Sequence, residues 1–235
     1  MIRALAGAGI AAGAVAHAGP ALAPVAGAVA DAFDIPRRVS DASGVVLTFD
    51  DGPHPEGTPA ILEVLRERGA TATFFLVGEQ VERLPALAAE IAAAGHEIAL
   101  HGFRHILLLR RSVRALADDL DRAVAVIEDS AGRTPALYRP PYGVFSLGAL
   151  RYVRPRWQPL LWSQWGRDWR ARATAEDVAA HATRDLAPGD VVLLHDADHY
   201  SSPGSWRITA AALPFILDAV DELGAGTAVA HLHST

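Results

Sequence analysis

Cysteine and lysine are both absent from this 235-residue chain, and each absence excludes a class of chemistry. There is no cysteine, which excludes a thiol nucleophile, a cysteine-bound zinc and any disulfide, and leaves the redox compartment undetermined. There is no lysine either, so all 21 basic residues are arginines, which excludes Schiff-base catalysis and a P-loop lysine. The formal net charge of −6 gives no indication of the basic face that nucleic-acid binding requires, so we expect no nucleic-acid partner.

Charged side chains are also missing from Ala4 to Ala30, a stretch rich in alanine and glycine. Its length would cross a bilayer and Ala16-His17-Ala18 has the form of a cleavage site, whereas its glycines and prolines weaken a spanning helix. We therefore interpret residues 1–35 as a leader, a signal or membrane anchor, in preference to a loosely ordered cytoplasmic arm. This favours a secreted or membrane-tethered protein with membrane contact only through the leader. We expect a chain lacking its first thirty residues to fold.

From residue 44 onward, short hydrophobic runs alternate with longer amphipathic stretches. About seven such units predict parallel strands joined by helices, in either a β/α barrel or an open sheet. With 51% hydrophobic and 20% charged residues, the chain is typical of one soluble globular core, and we expect a monomer. The predicted strands lie near residues 45–50, 73–77, 96–100, 136–139, 159–162, 191–195 and 227–230.

The first and third predicted strands are each followed by residues that bind metal ions. Asp50 and Asp51 close the first strand, and His101 and His105 follow the third. An aspartate pair in a turn, or two histidines alone, is weak evidence. Together they provide a carboxylate and two imidazoles for one divalent metal, with a second carboxylate for proton transfer, which indicates a hydrolytic site. Zinc suits these ligands best, and cobalt, nickel and manganese are also compatible.

Further polar residues follow later strands. Arg139 begins an RPPYG sequence after the fourth, residues 163–169 follow the fifth, and His195 ends the sixth. In β/α barrels the carboxyl ends of all strands open on one face, where active sites lie. This placement predicts a single catalytic face.

Five motifs in order carry a resemblance to a known family. They are TFDDGP at 48–53, HGFRH at 101–105, RPPYG at 139–143, RDW at 167–169 and LLH at 193–195. The sequence resembles the polysaccharide deacetylases, also described as the NodB-homology group or carbohydrate esterase family 4, over about Val45 to Ala230. This implies an α/β fold, a distorted, incomplete (β/α)7-type barrel with parallel strands, and a catalytic domain that we place at residues 44–232. It also implies metal-dependent removal of acetyl groups from N-acetylated glycans such as peptidoglycan, chitin oligomers or another cell-envelope polymer.

The resemblance also assigns the metal and the base. The ligands of the divalent ion fall on Asp51, His101 and His105. The catalytic base falls on Asp50, with Arg139 as the partner that keeps this carboxylate ionised and oriented.

The acid and the substrate contacts are assigned in the same way. The resemblance places the general acid on His195, oriented by Asp168. The backbone N–H of Tyr142 would stabilise the carbonyl oxygen, and the side chains of Trp169 and Leu193 would form the apolar slot for the acetyl methyl. The implied substrate residues are Pro141, Tyr142, Trp169 and Leu193.

The chain departs from the family pattern at two positions. Gly102 replaces a serine or threonine whose side chain is thought to steady the loop, and Trp165 replaces an aspartate. Two alternatives stay open: a hydrolase of the same fold acting on O-acetyl esters or a small non-sugar amide, and a non-catalytic carbohydrate-binding protein. The HDADH run at 195–199 suggests a second metal, but a hydrogen-bonding loop is the interpretation we favour for Asp196, Asp198 and His199.

Overall fold

The computed structural model describes residues 16–230, which form one parallel sheet surrounded by helices. The order of hydrogen-bonded strands is β5-β4-β3-β2-β1-β7-β6, with β8 also paired to β1, and every ladder is parallel. The predicted incomplete parallel barrel is therefore confirmed. The strands are β1 Val45–Asp50, β2 Thr73–Leu76, β3 Glu97–Leu100, β4 Leu137–Tyr138, β5 Gln158–Pro159, β6 Gln164–Trp165, β7 Val191–His195 and β8 Thr227–Ala228.

The helices follow from apolar periodicity and local capping. In the helix Val113–Ala131, for example, buried residues recur at positions 116, 120, 123 and 127. At its start the Ser112 hydroxyl accepts a hydrogen bond from Ala115 N–H, and at its end Gly132 adopts φ 63°. The α-helices of the described chain are α1 Gly27–Ala32, α2 Gly57–Glu67, α3 Gly78–Arg83, α4 Pro85–Ala93, α5 Val113–Ala131, α6 Leu147–Val153, α7 Ala175–Ala182 and α8 Ser205–Glu222.

Strand β1 is the centre of the sheet and positions the chemistry. All six of its residues are buried, as expected for a parallel strand covered on both faces. The register pairs Asp50 with Phe75 of β2 on one side and with His195 of β7 on the other. The ends of β1 and β7 therefore bring a carboxylate and an imidazole next to each other.

The barrel is open between its edge strands β5 and β6, where we predicted a continuous strand over residues 159–162. That prediction is wrong, because side chains take the carbonyl groups that a neighbouring strand would use. Arg139 donates to the carbonyls of Leu160 and Leu161, at 3.0 and 2.8 Å. Arg37 donates through Nε to the carbonyl of Trp162, at 2.8 Å.

The chain before β1 closes this opening. Leu161 N–H donates to the carbonyl of Pro36, and Val39 N–H donates to the carbonyl of Gly189, both at 2.9 Å. Ala30 and Ile35 are buried in the same core as the strands. The segment from about residue 19 to residue 39 thus packs onto the folded unit, and the expectation that a chain lacking its first thirty residues still folds stays a prediction.

The proposed leader function stays a prediction. Residues 1–15 lie outside the described part, as do His231 and His233. Nowhere in residues 16–230 does a helix combine the length and apolar character needed to cross a membrane.

Candidate active site

A cavity of about 310 Å³ lies at the carboxyl ends of the strands and brings together most of the predicted site residues. Tyr142, Trp169 and Leu193 form part of its wall, and Pro141 lies buried in the turn that carries Tyr142. Arg139 and Asp168 stand behind the wall, each bonded to a residue that faces the cavity. The predicted catalytic and metal-binding residues in the lining are Asp50, Asp51, His101, His105 and His195.

Three of these residues have the geometry of a metal-binding group. Asp51 Oδ1 lies 3.5 Å from His101 Nε2 and 3.3 Å from His105 Nε2. Ligands held about 2.1 Å from a tetrahedral ion are about 3.4 Å apart, so the spacing fits a divalent cation between them. Asp51 Oδ1 is buried without a hydrogen-bond partner, which is expensive unless a ligand compensates it.

The protonation states also suit ligation. His101 Nδ1–H donates to the carbonyl of Arg139 at 2.8 Å, which leaves the lone pair of Nε2 directed towards Asp51. Burial lowers the pKa of His105 to about 4 despite the nearby Asp51 carboxylate, so this imidazole is neutral near pH 7. Burial would raise the pKa of Asp51, but the imidazoles of His101, His195 and His105 outweigh it and lower the pKa to about 2. A carboxylate and neutral imidazoles are the forms that bind a metal.

A second group of similar composition consists of His54, Asp198 and His199, but its hydrogen bonds do not leave His54 in a form that binds a metal. Nδ1 of His54 accepts hydrogen bonds from the backbone N–H groups of Glu56 and Gly57, at 3.1 and 2.9 Å. The ring proton of His54 is therefore on Nε2, which donates to Asp198 Oδ1 at 3.1 Å. That nitrogen has no lone pair for an ion, and the group is a hydrogen-bonding loop, the interpretation favoured from the sequence.

Asp196, next to the proposed acid, is not one of the three grouped ligands. It is fully buried, receives a hydrogen bond from the Thr58 hydroxyl and packs against Gly52, directly after Asp51. Burial raises the pKa of its carboxyl to about 7. We infer that Asp196 stabilises the turn that carries Asp51.

The proposed base is held by a completely buried arginine. Arg139 donates through one terminal nitrogen to Asp50 Oδ1 at 2.6 Å and to Thr48 Oγ1 at 2.9 Å. Its other nitrogens bind the backbone carbonyls in the barrel opening, and its guanidinium lies 4.0 Å from the ring centroid of Phe75. These contacts fix the position of the guanidinium and thereby the orientation of Asp50. The other oxygen of Asp50 lies 3.8 Å from His101 Nε2.

The proposed acid is also oriented by a buried carboxylate. Asp168 Oδ1 lies 2.8 Å from His195 Nδ1, and Asp168 Oδ2 accepts from the backbone N–H of His195 and the hydroxyl of Thr209, both at 2.7 Å. Burial by itself would lower the pKa of His195, but the Asp168 carboxylate overcomes this and the pKa rises to about 10. His195 is therefore a cation at neutral pH, with a proton available on Nε2.

Aromatic side chains form much of the cavity wall. Trp165 stands between Trp162 and Trp169, with ring centroids 5.5 and 5.0 Å away. The residue that replaces the family's aspartate thus extends an indole surface of the kind that sugar rings stack on. Gly143 adopts φ 68°, and a Cβ there would lie 2.5 Å from Trp162, so only glycine allows the Tyr142 turn to approach this ring.

Tyr200 is a site residue that the sequence did not identify. Its ring stacks on His105, with centroids 4.2 Å apart and planes at 11°. The Tyr200 hydroxyl donates to Glu79 at 2.7 Å and accepts from Gln80 at 3.0 Å, which holds the ring against the histidine. No local sequence pattern connects Tyr200 with His105, which lies 95 positions earlier in the chain.

The loop between the two proposed histidine ligands is stabilised although residue 102 is glycine. This residue has φ 93°, a backbone conformation that residues other than glycine rarely adopt. Asp119 of α5 accepts a hydrogen bond from the N–H of Phe103 at 2.8 Å. A carboxylate from a neighbouring helix therefore stabilises the loop that a serine or threonine usually supports.

Comparison with known proteins gives consistent matches. A family model described as polysaccharide deacetylase matches residues 37–154. A chitooligosaccharide deacetylase of Azorhizobium caulinodans is 33% identical over 196 residues, which cover 80% of this chain and 93% of the relative. The crystal structure of a peptidoglycan N-acetylglucosamine deacetylase superimposes with a TM-score of 0.77 at 27% identity, over 85% of this chain and 93% of the other. A family 4 acetyl xylan esterase from Clostridium thermocellum, with a bound cobalt ion, has a TM-score of 0.71 at 29% identity, over 79% and 87% of the chains.

Proposed function

Because the chain belongs to the polysaccharide deacetylase family, we propose that it hydrolyses N-acetyl groups of an N-acetylglucosamine-type glycan, with Asp50, Asp51, His101, His105 and His195 as the reacting centre. The observation that carries this proposal is the arrangement of a metal-binding triad, an arginine-bound carboxylate and an aspartate-bound histidine around one cavity. The glycan is the one partner that the proposal requires.

Asp51, His101 and His105 would hold the divalent cation on which this family depends. When bound, such a cation polarises the amide carbonyl and makes a water more acidic. We propose zinc, because a carboxylate and two imidazoles suit it, although the cobalt in the acetyl xylan esterase illustrates that related sites accept other ions.

Asp50 acts as the base that removes a proton from the attacking water. Arg139 binds one oxygen of this carboxylate and leaves the other at the cavity, 3.8 Å from His101 Nε2. The backbone N–H of Tyr142 stabilises the negative charge that develops on the carbonyl oxygen.

His195 donates the proton that the departing amine needs. An amide nitrogen leaves poorly unless it is protonated, whereas the oxygen of an ester leaves more easily. The buried Asp168–His195 pair, which keeps the imidazole charged, therefore favours an N-acetyl over an O-acetyl substrate. Leu193 and Trp169 enclose the acetyl methyl.

The test measures acetate release by the metal-loaded protein from an N-acetylglucosamine oligomer and from an acetylated xylan, and ring opening of a small cyclic amide. We expect acetate from the oligomer at the highest kcat/KM. The matched control is Asp50→Asn, which removes the base and keeps the three ligands, so it should retain the metal and lose about three orders of magnitude in kcat. Acetate only from the ester would overturn the proposal, and loss of metal in Asp50→Asn would exchange the roles of the two aspartates.

A further inference from the structure

A second cavity of about 300 Å³ adjoins the active site. Trp162 and Trp165 form part of the wall of both cavities, so the two spaces lie on either side of the same indole rings. The remainder of the second wall contains three arginines, Arg37, Arg167 and Arg184.

The positive charge of this cavity is not neutralised within residues 16–230. The structure shows no ion pair there for Arg37, Arg167 or Arg184, whereas Arg68 and Arg122 on the surface pair with carboxylates.

Asp190 and Asp168, two acids close to the cavity residues, are already engaged. Asp190, which binds the cavity residue Ser163, pairs with Arg38 and accepts from the N–H of Ala187. Asp168, next to Arg167 in the chain, is bonded to His195 and Thr209. In a chain with a net charge of −6, three unpaired arginines around one cavity call for an anion.

The cavity is also preorganised. Nε of Arg37 is fixed on the carbonyl of Trp162 at 2.8 Å, and the guanidinium of Arg167 lies 5.5 Å from the ring centroid of Trp165. The indole N–H groups of Trp162 and Trp165 are buried and have no acceptor in the described protein. Unpaired guanidinium groups around one cavity indicate that the missing partner is an acceptor with negative charge.

We propose that this second cavity is a subsite for a carboxylate carried by the sugar next to the one that loses its acetyl group. The inference rests on the proposed function, and it identifies the substrate as an anionic N-acetylated glycan instead of a neutral one. Guanidinium groups bind carboxylates through paired hydrogen bonds, and the shared tryptophans place this subsite directly beside the reacting centre.

The test compares two oligosaccharides of equal length, neutral poly-N-acetylglucosamine and one whose alternate N-acetylated sugars carry a carboxylate. Arg184→Gln is the informative variant, because this exposed side chain lines the second cavity and has no part in the reacting centre. Arg172→Gln is the control, since it removes the same charge from an exposed position outside both cavities. We expect Arg184→Gln to raise KM for the anionic oligomer about tenfold or more, with kcat unchanged and the neutral oligomer affected less than twofold.

Equal effects of the two substitutions, or equal effects of Arg184→Gln on both oligomers, would overturn the subsite. A KM effect on a phosphate-bearing oligomer and none on the carboxylate-bearing one would overturn the carboxylate assignment. Binding measured by calorimetry to Asp50→Asn, with and without Arg184→Gln, gives the same comparison without turnover. Failure of the proposed function appears separately, as absence of acetate from every oligomer.

Discussion

Replacing Asp168 by Asn should disable the proposed acid without disturbing the metal group. Two donors, the backbone N–H of His195 and the hydroxyl of Thr209, converge on Asp168 Oδ2. The single oxygen of an asparagine will therefore occupy that position, and its NH₂ group will face His195 Nδ1. This nitrogen must then accept a hydrogen bond, so the imidazole can no longer hold two protons.

The expected loss in kcat is roughly 10³- to 10⁴-fold, the size seen when an orienting carboxylate is removed from a catalytic histidine. The pKa of His195 is about 10 in the presence of Asp168. Without this carboxylate only Asp51 and Asp50 still oppose the effect of burial, so the pKa of His195 falls. The basic limb of the rate profile should therefore move to lower pH, while metal content stays at the parent level.

The same substitution has a consequence for the stability of the metal-free protein. A histidine whose pKa is raised on folding stabilises the fold fully below the unfolded value of 6.5, and this stabilisation is lost as the pH rises through about 10. At pH 7 the linkage amounts to about 4 kcal/mol. Urea unfolding at pH 7 and pH 10 should show this decline in the parent protein and a much flatter dependence in Asp168→Asn.

Thr209→Val is the matched control, because it removes the hydroxyl that binds Asp168 and preserves its carboxylate. We expect less than a tenfold loss in kcat and an unchanged basic limb. A basic limb that stays in place in Asp168→Asn would refute the reasoning, and the proton donor would have to be another group.

Two further predictions concern the metal group and the N-terminal segment. His101→Ala should lose most bound metal and most activity, and elemental analysis that finds full occupancy would disprove its role as a ligand. A chain beginning at residue 36 should unfold several degrees lower than one beginning at residue 16, because it loses the buried side chains of Ala23, Ala30 and Ile35; equal melting temperatures by calorimetry would show that this packing contributes nothing.

The strand ends could be predicted from the sequence because parallel strands place all their carboxyl ends on one face. This geometry brings Asp50, His101 and His195 together however far apart they are in the chain. The family resemblance then supplied the roles. The placement of the proposed metal ligands on that face follows from the positions of the strand ends, which hydrophobic patterns locate well.

Other features depend on contacts that no local pattern encodes. The alanine- and glycine-rich segment before β1 has the composition of a signal peptide, and composition does not reveal that Ala30 packs into the barrel. The wrongly predicted strand has the right hydrophobic pattern, but its carbonyls bind Arg139 and Arg37. Tyr200 contacts His105 only because the fold brings together two loops that are distant in the sequence.

Because of the position of Arg139, we expect heating that loosens the barrel edge also to reduce activity. The guanidinium that orients Asp50 also holds the backbone of Leu160 and Leu161 across the barrel opening. Loosening of that edge would therefore withdraw the partner of the proposed base. Substitutions that rigidify residues 160–163 should therefore lengthen the working lifetime of the enzyme at elevated temperature by more than they raise its melting point.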